Sequence, residues 1–312
     1  MYKNIKKNSE FKHKKIVLLN LLIIVREILV ELHSIIELEE HLQSLREKGN
    51  KVGFIPTMGA LHDGHMSLVK QAKSECDFAI ASIFVNPTQF NNPQDLEKYP
   101  RTESEDLSLL EENGCDFVFL PSVSEMYPEG SKGEKVDLDQ IEDTMEGEHR
   151  PGHFDGVVNI VSRFFKLIKP TNAYFGRKDF QQVAVVVEMV KQLKLPVKIV
   201  VVETKRNPSG LAMSSRNKRL SEQELEQAVV ISQVLNKGQA WAKTYSPAIT
   251  LEKMKRYFED SVLNLEYLQI VHPETLNDLN QYWVPGATAC IAAFCGNIRL
   301  IDNMELVPNK EN

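Results

Sequence analysis

Two histidines three residues apart, His62 and His65, are the first side chains in this sequence whose type and spacing suggest chemistry. They flank the pair Asp63–Gly64, just after a predicted buried strand and at the start of a predicted helix. A helix N-terminus presents unpaired N–H groups and the positive end of its dipole, so anions bind there. The imidazoles could donate hydrogen bonds to phosphate oxygens, and Gly59 and Gly64 let the backbone approach a ligand closely. By spacing alone, a turn without function is an equally good interpretation. A zinc site is disfavoured, because its usual pattern places the histidines four apart with a glutamate between them.

A second polar segment, GRKDFQQ, begins at Gly176 directly after another predicted strand. Lys178 supplies a point charge that suits a polyphosphate. Asp179 can hold that lysine or a ligand hydroxyl, and Gln182 can bind a small polar substrate. Taken alone, the segment is better interpreted as an exposed charged loop, so its chemistry depends on where the fold places it.

A third polar segment, SGLAMSSRN, spans residues 209–217. Ser214 and Ser215 offer hydroxyl donors, and the guanidinium of Arg216 is a fork that matches the geometry of a phosphate. Gly210 gives the loop freedom to close. A Ser-Ser-Arg sequence is common by chance, so this segment alone gives weak support for a site.

Two shorter segments complete the candidate set. NPTQF contains Gln89, and YPRTESEDL contains Thr102, Glu105 and Asp106. Thr102 and Glu105 predict a capping box at a helix N-terminus. Asp106 could hold Mg²⁺ through water, or it could be a first-turn carboxylate that interacts favourably with the helix dipole. The sequence favours neither interpretation.

The elements that must position these segments follow from the hydropathy pattern. From residue 28 to residue 204, short apolar segments alternate with helix-like segments. Continuous apolar strands separated by helices are typical of a parallel sheet covered on both faces, and ligands bind beyond the carboxyl ends of its strands. The segments that carry His62, Gln89 and Lys178 each follow such a strand. The sequence therefore predicts that they meet at one edge of the sheet.

The pattern changes after residue 205. A polar loop precedes a helix whose start is predicted by a Ser221–Glu224 capping box, and three strand-like segments follow. We therefore predict an α/β fold. A doubly wound parallel sheet occupies residues 28–204, and a smaller C-terminal α+β domain occupies residues 205–312.

Residues 1–27 differ from the rest of the chain. Six lysines and one glutamate occupy the first fifteen positions, and a ten-residue apolar run follows. This resembles the first two regions of a signal peptide, but no small-residue cleavage site follows. The run is also too short to span a bilayer, which needs ~20 residues. We interpret this segment as an N-terminal extension outside the fold.

The net charge, hydropathy and cysteine content indicate the class of protein. A net charge of −6 gives no support for nucleic-acid binding. No segment is long and apolar enough to predict a spanning helix, so we expect no stable membrane association. The four cysteines form no C-x-x-C motif, as expected for reduced core residues of a cytoplasmic protein. They are Cys76, Cys115, Cys290 and Cys295.

Together, seven motifs resemble those of the pantoate–β-alanine ligase (pantothenate synthetase) family, in the family's order. They are PTMGALHDGHMSLV, SIFVNPTQF, YPRT, RPGHFDGV, YFGRKDFQQV, GLAMSSRN and RLIDN, and they cover roughly residues 28 to 304. HDGH resembles the HIGH motif of the wider nucleotidyltransferase superfamily, and MSSR resembles its mobile KMSKS counterpart. The resemblance implies a Rossmann-like fold of the HIGH type and a homodimer.

The resemblance also implies a set of site residues. His65 matches the family's proton donor and His62 its phosphate-binding neighbour, with Lys178 as a further catalytic residue. Gln89 and Gln182 match glutamines that hold pantoate, and Gln89 also lies near the β-alanine position. The implied ATP site, in which Lys205 contacts adenine through its backbone, consists of Met58, Gly59, Ala60, Leu61, His62, Asp63, Gly64, His65, Gly176, Arg177, Lys178, Asp179, Lys205, Met213, Ser214, Ser215 and Arg216.

The implied reaction joins pantoate to β-alanine in two steps. The pantoate carboxylate attacks the α-phosphorus of ATP, giving pantoyl adenylate and pyrophosphate, and the amine of β-alanine then displaces AMP. No protein nucleophile is needed, so catalysis depends on positioning and on neutralising charge, with Mg²⁺ as the expected cofactor. The chain departs from many members at Arg177, where they have glutamate, and at Ser209, where they have aspartate. These changes bear on loop closure rather than on ligand contact.

Three other functions fit parts of the pattern. A cytidylyltransferase-like enzyme is disfavoured by Gln89 and Gln182, and by the lack of extra basic residues for an acceptor phosphate. A nucleotide-binding module without activity would bind ATP but form no AMP. A metal hydrolase that uses His62 and His65 is the third alternative.

Overall fold

The computed structural model describes residues 29–130 and 132–307. The described residues form a six-stranded parallel sheet and a three-stranded antiparallel sheet. The predicted extension over residues 1–27 lies outside the described residues. The predicted domain boundary between residues 204 and 205 falls in the segment that joins the two sheets, and it stays a prediction.

The parallel sheet is built from β1 (Val30–Leu32), β2 (Val52–Thr57), β3 (Phe78–Ile83), β4 (Phe117–Phe119), β5 (Asn172–Gly176) and β6 (Lys198–Val202). Their spatial order is β1–β4–β3–β2–β5–β6, and every neighbouring pair is parallel. From β2 the chain proceeds through β3 and β4 in one direction and through β5 and β6 in the other. The order therefore reverses between β2 and β5, and such a switch point opens a crevice at the carboxyl ends of the two strands.

The α-helices that connect the strands range from four to twenty residues in length. They are α1 (Ile35–Glu47), α2 (Asp63–Glu75), α3 (Pro93–Glu97), α4 (Glu103–Glu112), α5 (Val123–Met126), α6 (Met145–His149), α7 (His153–Ile168), α8 (Phe180–Gln192), α9 (Glu222–Trp241) and α10 (Pro247–Glu259). Alternate side chains of β2 point to opposite faces of the sheet. Phe54 packs with α1, α7 and α8 on one face, whereas Ile55 packs with α2 and α4 on the other. Both side chains are fully buried, and burial of each contributes roughly 1.5–3 kcal/mol.

One of the two predicted capping boxes is confirmed. Ser221 caps α9, and Glu224 completes the box. The box predicted from Thr102 and Glu105 is wrong, because Thr102 makes no capping hydrogen bond to the backbone of α4. Its hydroxyl donates instead to the carboxylate of Asp106 (3.1 Å).

The antiparallel sheet consists of β7 (Asn264–Val271), β8 (Thr288–Cys295) and β9 (Ile298–Glu305), in that order. Helices α9 and α10 pack on it and form a second core that includes Leu235, Met254 and Ile291. The predicted pattern does not contain α10, although Pro247 at its first turn is a favourable start. The predicted fold class, a doubly wound parallel sheet with a smaller C-terminal α+β part, is confirmed.

The described part of the chain contains no helix with both the length and the apolar character needed to span a membrane. All four cysteines are buried and form no disulfide. Their predicted place in the core is confirmed.

Candidate functional site

A cavity of about 720 Å³ lies at the carboxyl ends of β2 and β5, where the strand order reverses. All three predicted polar segments reach it. The predicted site residues that line it are Met58, His62, Gly64, His65, Gln89, Gly176, Lys178, Asp179, Gln182, Lys205, Met213, Ser214, Ser215 and Arg216. The remaining predicted residues lie outside its lining: Gly59, Ala60, Leu61, Asp63, Asp106 and Arg177.

A buried carboxylate holds the turn between β2 and α2. Asp106 accepts hydrogen bonds from the backbone N–H groups of Ala60 (2.8 Å) and Leu61 (2.7 Å). Gly59 and Ala60 have positive φ angles of 80° and 50°. For a residue other than glycine this conformation costs roughly 1–2 kcal/mol. The hydrogen bonds to Asp106 stabilise the turn and so place His62 at the start of α2.

These contacts bear on the predicted magnesium role of Asp106. Only 2% of the residue is exposed, and both carboxylate oxygens accept hydrogen bonds from the protein. Among the described residues there is no group of three or more histidine, cysteine, aspartate or glutamate side chains that could hold a metal ion. The contacts favour the other interpretation of Asp106, a first-turn carboxylate of α4, which here anchors the loop above it. Magnesium binding by this residue stays a prediction.

His62 and His65 form one unit at the N-terminus of α2, with ring centroids 4.1 Å apart. The N–H of Gly64 donates to Nδ1 of His62 (3.1 Å), and the N–H of His62 donates to Nδ1 of His65 (3.3 Å). Because each Nδ1 accepts a hydrogen bond, each neutral ring carries its proton on Nε2. Both rings line the cavity, so each can donate one hydrogen bond to a ligand there.

Burial keeps these two imidazoles neutral. Burial first, and then the nearby charge of Lys178, lower the pKa of His62 from 6.5 to about 4. Burial also lowers the pKa of His65 well below its ordinary value, and His62 and Lys178 act in the same direction. The ring of His62 needs Gly64 beside it, because a Cβ at that position would lie 2.8 Å from two of the ring atoms. The site therefore presents neutral hydrogen-bond donors at pH 7.

Lys178 lies in a 3₁₀ turn, Arg177–Asp179, directly after β5. Its ammonium is 3.1 Å from Asp179, and 18% of the lysine side chain is exposed. The guanidinium of Arg177 instead pairs with Glu203 (2.8 Å) and Glu305 (3.5 Å). Lys178, and not Arg177, therefore presents a cation to the cavity.

The loop over residues 209–217 packs directly onto the turn that follows β2. The buried hydroxyl of Ser215 donates to the carbonyl oxygen of Ala60 (3.0 Å). The guanidinium of Arg216 donates to Asp95 of α3 (2.7 Å). The loop thus carries a hydroxyl and a cation to the same cavity as the histidines.

Gln89 ends a 3₁₀ turn, Pro87–Gln89, that lies against the start of α7. The side-chain amide of Asn86 donates to Oε1 of Gln89 (3.1 Å) and to the carbonyl of Gly156 (3.1 Å). A Cβ at position 156 would lie 2.6 Å from the carbonyl oxygen of Thr88 and 2.7 Å from Cα of Gln89. Only glycine lets α7 approach the turn this closely, which explains the second glycine of the RPGHFDGV motif.

Two adjacent glutamines of α8 have different environments. Gln181 is buried, its amide donates to the carbonyls of Ile141 and Thr144, and its oxygen accepts from the N–H of Glu146 (2.8 Å). Both glutamines line the cavity, and Gln182 is the less buried of the two. Gln181 therefore holds the neighbouring chain segment in place, while Gln182 is available to a ligand.

One wall of the cavity contains charged residues that the predicted site does not include. Glu146 accepts two hydrogen bonds from Arg299 (2.9 and 2.8 Å), one from Arg150 (3.2 Å) and one from the hydroxyl of Tyr267 (2.8 Å). Burial raises the pKa of Glu146, but these donors, Arg299 foremost, outweigh burial and lower it to about 2. Burial, followed by the charge of Arg150, lowers the pKa of His153 to about 4. The motif RPGHFDGV contains both Arg150 and His153 and is the signal that points to this wall.

The cavity is suited to hold anions. Of the described residues that line it, Cys290 is a potential nucleophile, but burial raises the pKa of its thiol, so the thiolate is scarce at pH 7. The helix N-terminus and two neutral imidazoles instead offer hydrogen bonds. The ammonium of Lys178 and the guanidinium of Arg216 add positive charge, although each also contacts a carboxylate of the protein. Such groups stabilise negative charge that develops on a bound ligand.

Comparisons with known proteins identify a family for this chain. The family described as Pantoate-beta-alanine ligase matches residues 31–305. A pantothenate synthetase from Bacteroides thetaiotaomicron is 47% identical over 279 residues, which are 88% of this chain and 98% of that protein. One from Porphyromonas gingivalis is 44% identical over 279 residues, with the same two shares.

Solved structures give the same result. A crystal structure of pantothenate synthetase from Thermus thermophilus has a TM-score of 0.85 and 42% identity, and the match covers 90% of this chain and 100% of that one. A crystal structure of pantoate-beta-alanine ligase from Francisella tularensis, complexed with beta-gamma ATP and beta-alanine, has a TM-score of 0.76 and 37% identity. That match covers 89% of this chain and 98% of the other. The chain described here belongs to the pantoate-beta-alanine ligase family.

Proposed function

We propose that this protein is an AMP-forming ligase that uses ATP to condense pantoate with β-alanine, a step in the synthesis of pantothenate and hence of coenzyme A. The observation that carries this proposal is the convergence of His62, His65, Lys178 and Arg216 at one cavity. Such a cluster of donors and cations in an acidic chain suits the meeting of two anions, a triphosphate and a carboxylate.

In the first step a carboxylate oxygen of pantoate forms a bond to the α-phosphorus of ATP, and the bond from that phosphorus to the bridging oxygen breaks. Pyrophosphate leaves with the electron pair. His65 and His62 donate hydrogen bonds from Nε2 to phosphate oxygens, and because both rings are neutral each keeps its proton while it stabilises the departing pyrophosphate. Lys178 and the guanidinium of Arg216 offset the growing negative charge, and the hydroxyl of Ser214 donates a hydrogen bond to it. The hydroxyl of Ser215 holds the loop against the carbonyl of Ala60.

In the second step the amine of β-alanine attacks the acyl carbon of pantoyl adenylate. The bond from that carbon to the bridging oxygen breaks, and AMP leaves with the oxygen that came from pantoate. The amine loses a proton to solvent or to a basic group of the site. Gln89 and Gln182 hold pantoate in place for both steps, and Gln89 also lies beside β-alanine.

The adenine ring of ATP binds along the backbone of Lys205, and the phosphates lie over the residues from Met58 to His65 and from Gly176 to Asp179. Mg²⁺ belongs to this proposal as part of the MgATP substrate. The fit of a resident ion is poor, because both carboxylate oxygens of Asp106 accept hydrogen bonds within the protein. Mg²⁺ commonly binds to substrate phosphates with few protein ligands, so no step needs an ion held by the protein.

The proposal also covers the roles of the two domains, the oligomeric state and the location of the enzyme. Residues 28–204 form the ATP- and pantoate-binding domain, and the part from residue 205 onwards is a lid that hinges over the site. The enzyme is a cytoplasmic homodimer that acts on small molecules, without nucleic-acid partners or stable membrane association.

The test is a product assay with ATP and pantoate, with and without β-alanine. We expect AMP, pyrophosphate and pantothenate in equal amounts when all three substrates are present. Saturable ATP binding without AMP formation would identify a nucleotide-binding module instead. Transfer of the CMP group from CTP to a phosphorylated acceptor, with release of pyrophosphate, would indicate a cytidylyltransferase. Stoichiometric zinc with hydrolytic activity would indicate a metal hydrolase.

A further inference from the structure

The end of β9 lies directly beside the turn that carries Lys178. The side-chain amide of Asn303 donates to the carbonyl oxygens of two consecutive residues, Arg177 (2.9 Å) and Lys178 (2.8 Å). Only 3% of Asn303 is exposed, and its amide oxygen accepts no hydrogen bond from the described residues. The polar contacts of this side chain are therefore made through its two N–H groups, to the backbone of the Lys178 turn.

Asp302, which precedes Asn303 in β9, links this strand through Arg206 to the loop that carries Ser214–Arg216. Asp302 is buried and receives both arms of the Arg206 guanidinium (2.6 and 3.0 Å). Arg206 also donates to the carbonyl of Gly210 (3.2 Å) and to that of Asn303 (3.2 Å). A two-armed guanidinium–carboxylate contact fixes direction as well as distance. Two neighbouring residues of β9 thus hold two separate loops of the cavity.

We propose that Asp302 and Asn303 are a pair of positioning residues that set Lys178 and the Ser214–Arg216 loop relative to each other for adenylate formation. This inference rests on the proposed function, because it assigns the pair an effect through Lys178. Among the described residues Lys178 has one carboxylate contact, to Asp179, and 18% of its side chain is exposed. The direction of its ammonium therefore depends on the backbone turn that Asn303 holds. A displacement of about 1 Å at a reacting group can cost ~100-fold in rate.

The test uses Asn303→Ala in the full-length protein and measures steady-state pyrophosphate release in the presence of ATP, pantoate and saturating β-alanine. We expect kcat to fall ~100-fold while KM for ATP and pantoate changes by less than ~3-fold, because the lost contact acts on the transition state. Asn303→Asp keeps the size of the side chain but replaces the donors with acceptors, and its kcat should fall at least as far.

Asn236→Ala is the matched control. Asn236 also donates its amide to a backbone carbonyl, that of Ser232 (2.8 Å), but within α9 and outside the cavity lining. This variant should keep wild-type kcat. Thermal unfolding of all variants shows whether lost activity reflects lost fold.

A second measurement separates positioning from general stability. Lys178→Ala alone should lower kcat by ~100- to 1000-fold, as removal of a charge-stabilising donor does. Asn303→Ala added to Lys178→Ala should cause little further loss, because the residue that it positions is gone. If the two losses multiply instead, Asn303 does not act through Lys178 and the inference is overturned. Wild-type kcat in Asn303→Ala would also overturn it, whereas wild-type kcat in Lys178→Ala would count against the proposed function itself.

Discussion

The protonation state of His62 is the property of the site that can be measured most directly. Its pKa of about 4 lies 2.5 pKa units below the ordinary 6.5. At about 1.36 kcal/mol per unit, the folded protein disfavours the charged ring by about 3 kcal/mol. Burial is the larger cause and Lys178 the second. Removal of the charge by Lys178→Met should therefore recover less than half of the difference, and the pKa should rise to no more than about 5.

The measurement is a pH titration of the histidine Cε1–H signals by ¹H–¹³C correlation NMR. His62→Gln identifies the signal by its loss. Spectra of methyl groups recorded at each pH show over what range the protein remains folded. In the wild-type protein we expect the His62 ring to stay neutral down to about pH 5 and to titrate near pH 4.

Two results would refute this reasoning. A wild-type midpoint near 6.5 would mean that the ring is solvated and that the cavity does not impose the neutral Nε2–H donor. A full return to 6.5 in Lys178→Met would mean that charge, rather than burial, sets the pKa. Either result would remove the basis for treating the two imidazoles as neutral donors in the site.

The remaining predictions concern substrate binding, stability and loop closure. Gln182→Ala should raise KM for pantoate with a smaller effect on kcat. Gln181→Ala should instead lower the free energy of unfolding by roughly 1–3 kcal/mol, because buried hydrogen bonds are lost. If the kinetics and urea unfolding of the two variants show the reverse pattern, the roles assigned to the two glutamines are wrong. The free energy of unfolding should fall as pH falls from 6.5 towards 4, because the unfolded chain binds protons near 6.5 while His62 and His153 bind them near 4 in the folded protein. Each contributes at most about 2 kcal/mol between about pH 7 and about pH 5, and equal urea midpoints and slopes at the two pH values would contradict this. ATP and pantoate together should protect the loop over residues 209–217 from proteolysis, and unchanged cleavage would argue against closure.

Much of the site's location could be predicted from the sequence. The segments that carry His62, Gln89 and Lys178 follow apolar strands, and the geometry of a parallel sheet brings the ends of those strands to one edge. The order of the strands and helices along the chain is enough for this prediction, and the hydropathy pattern indicates that order. The switch point between β2 and β5 could not be derived in this way, because strand order depends on which strands pair.

The contacts that complete the site are harder to predict from the sequence. Asp106 holds the N–H groups of Ala60 and Leu61, which are 46 and 45 residues away in the chain. Arg299 reaches Glu146 across 153 residues. No local pattern indicates such pairs, because each side chain has an ordinary explanation in its own helix or strand. The role of Asp106 in particular depends on the positive φ at Ala60, which an alanine gives no reason to expect.

In the proposed mechanism the carboxylate of pantoate attacks the α-phosphorus of ATP within this cavity. Pantoate labelled with ¹⁸O in its carboxylate tests it directly, with mass spectrometry of the AMP formed in the presence of β-alanine. The proposed mechanism predicts one ¹⁸O atom in each molecule of AMP, because the oxygen that attacks phosphorus leaves with AMP. Unlabelled AMP, or label in orthophosphate together with ADP, would contradict it.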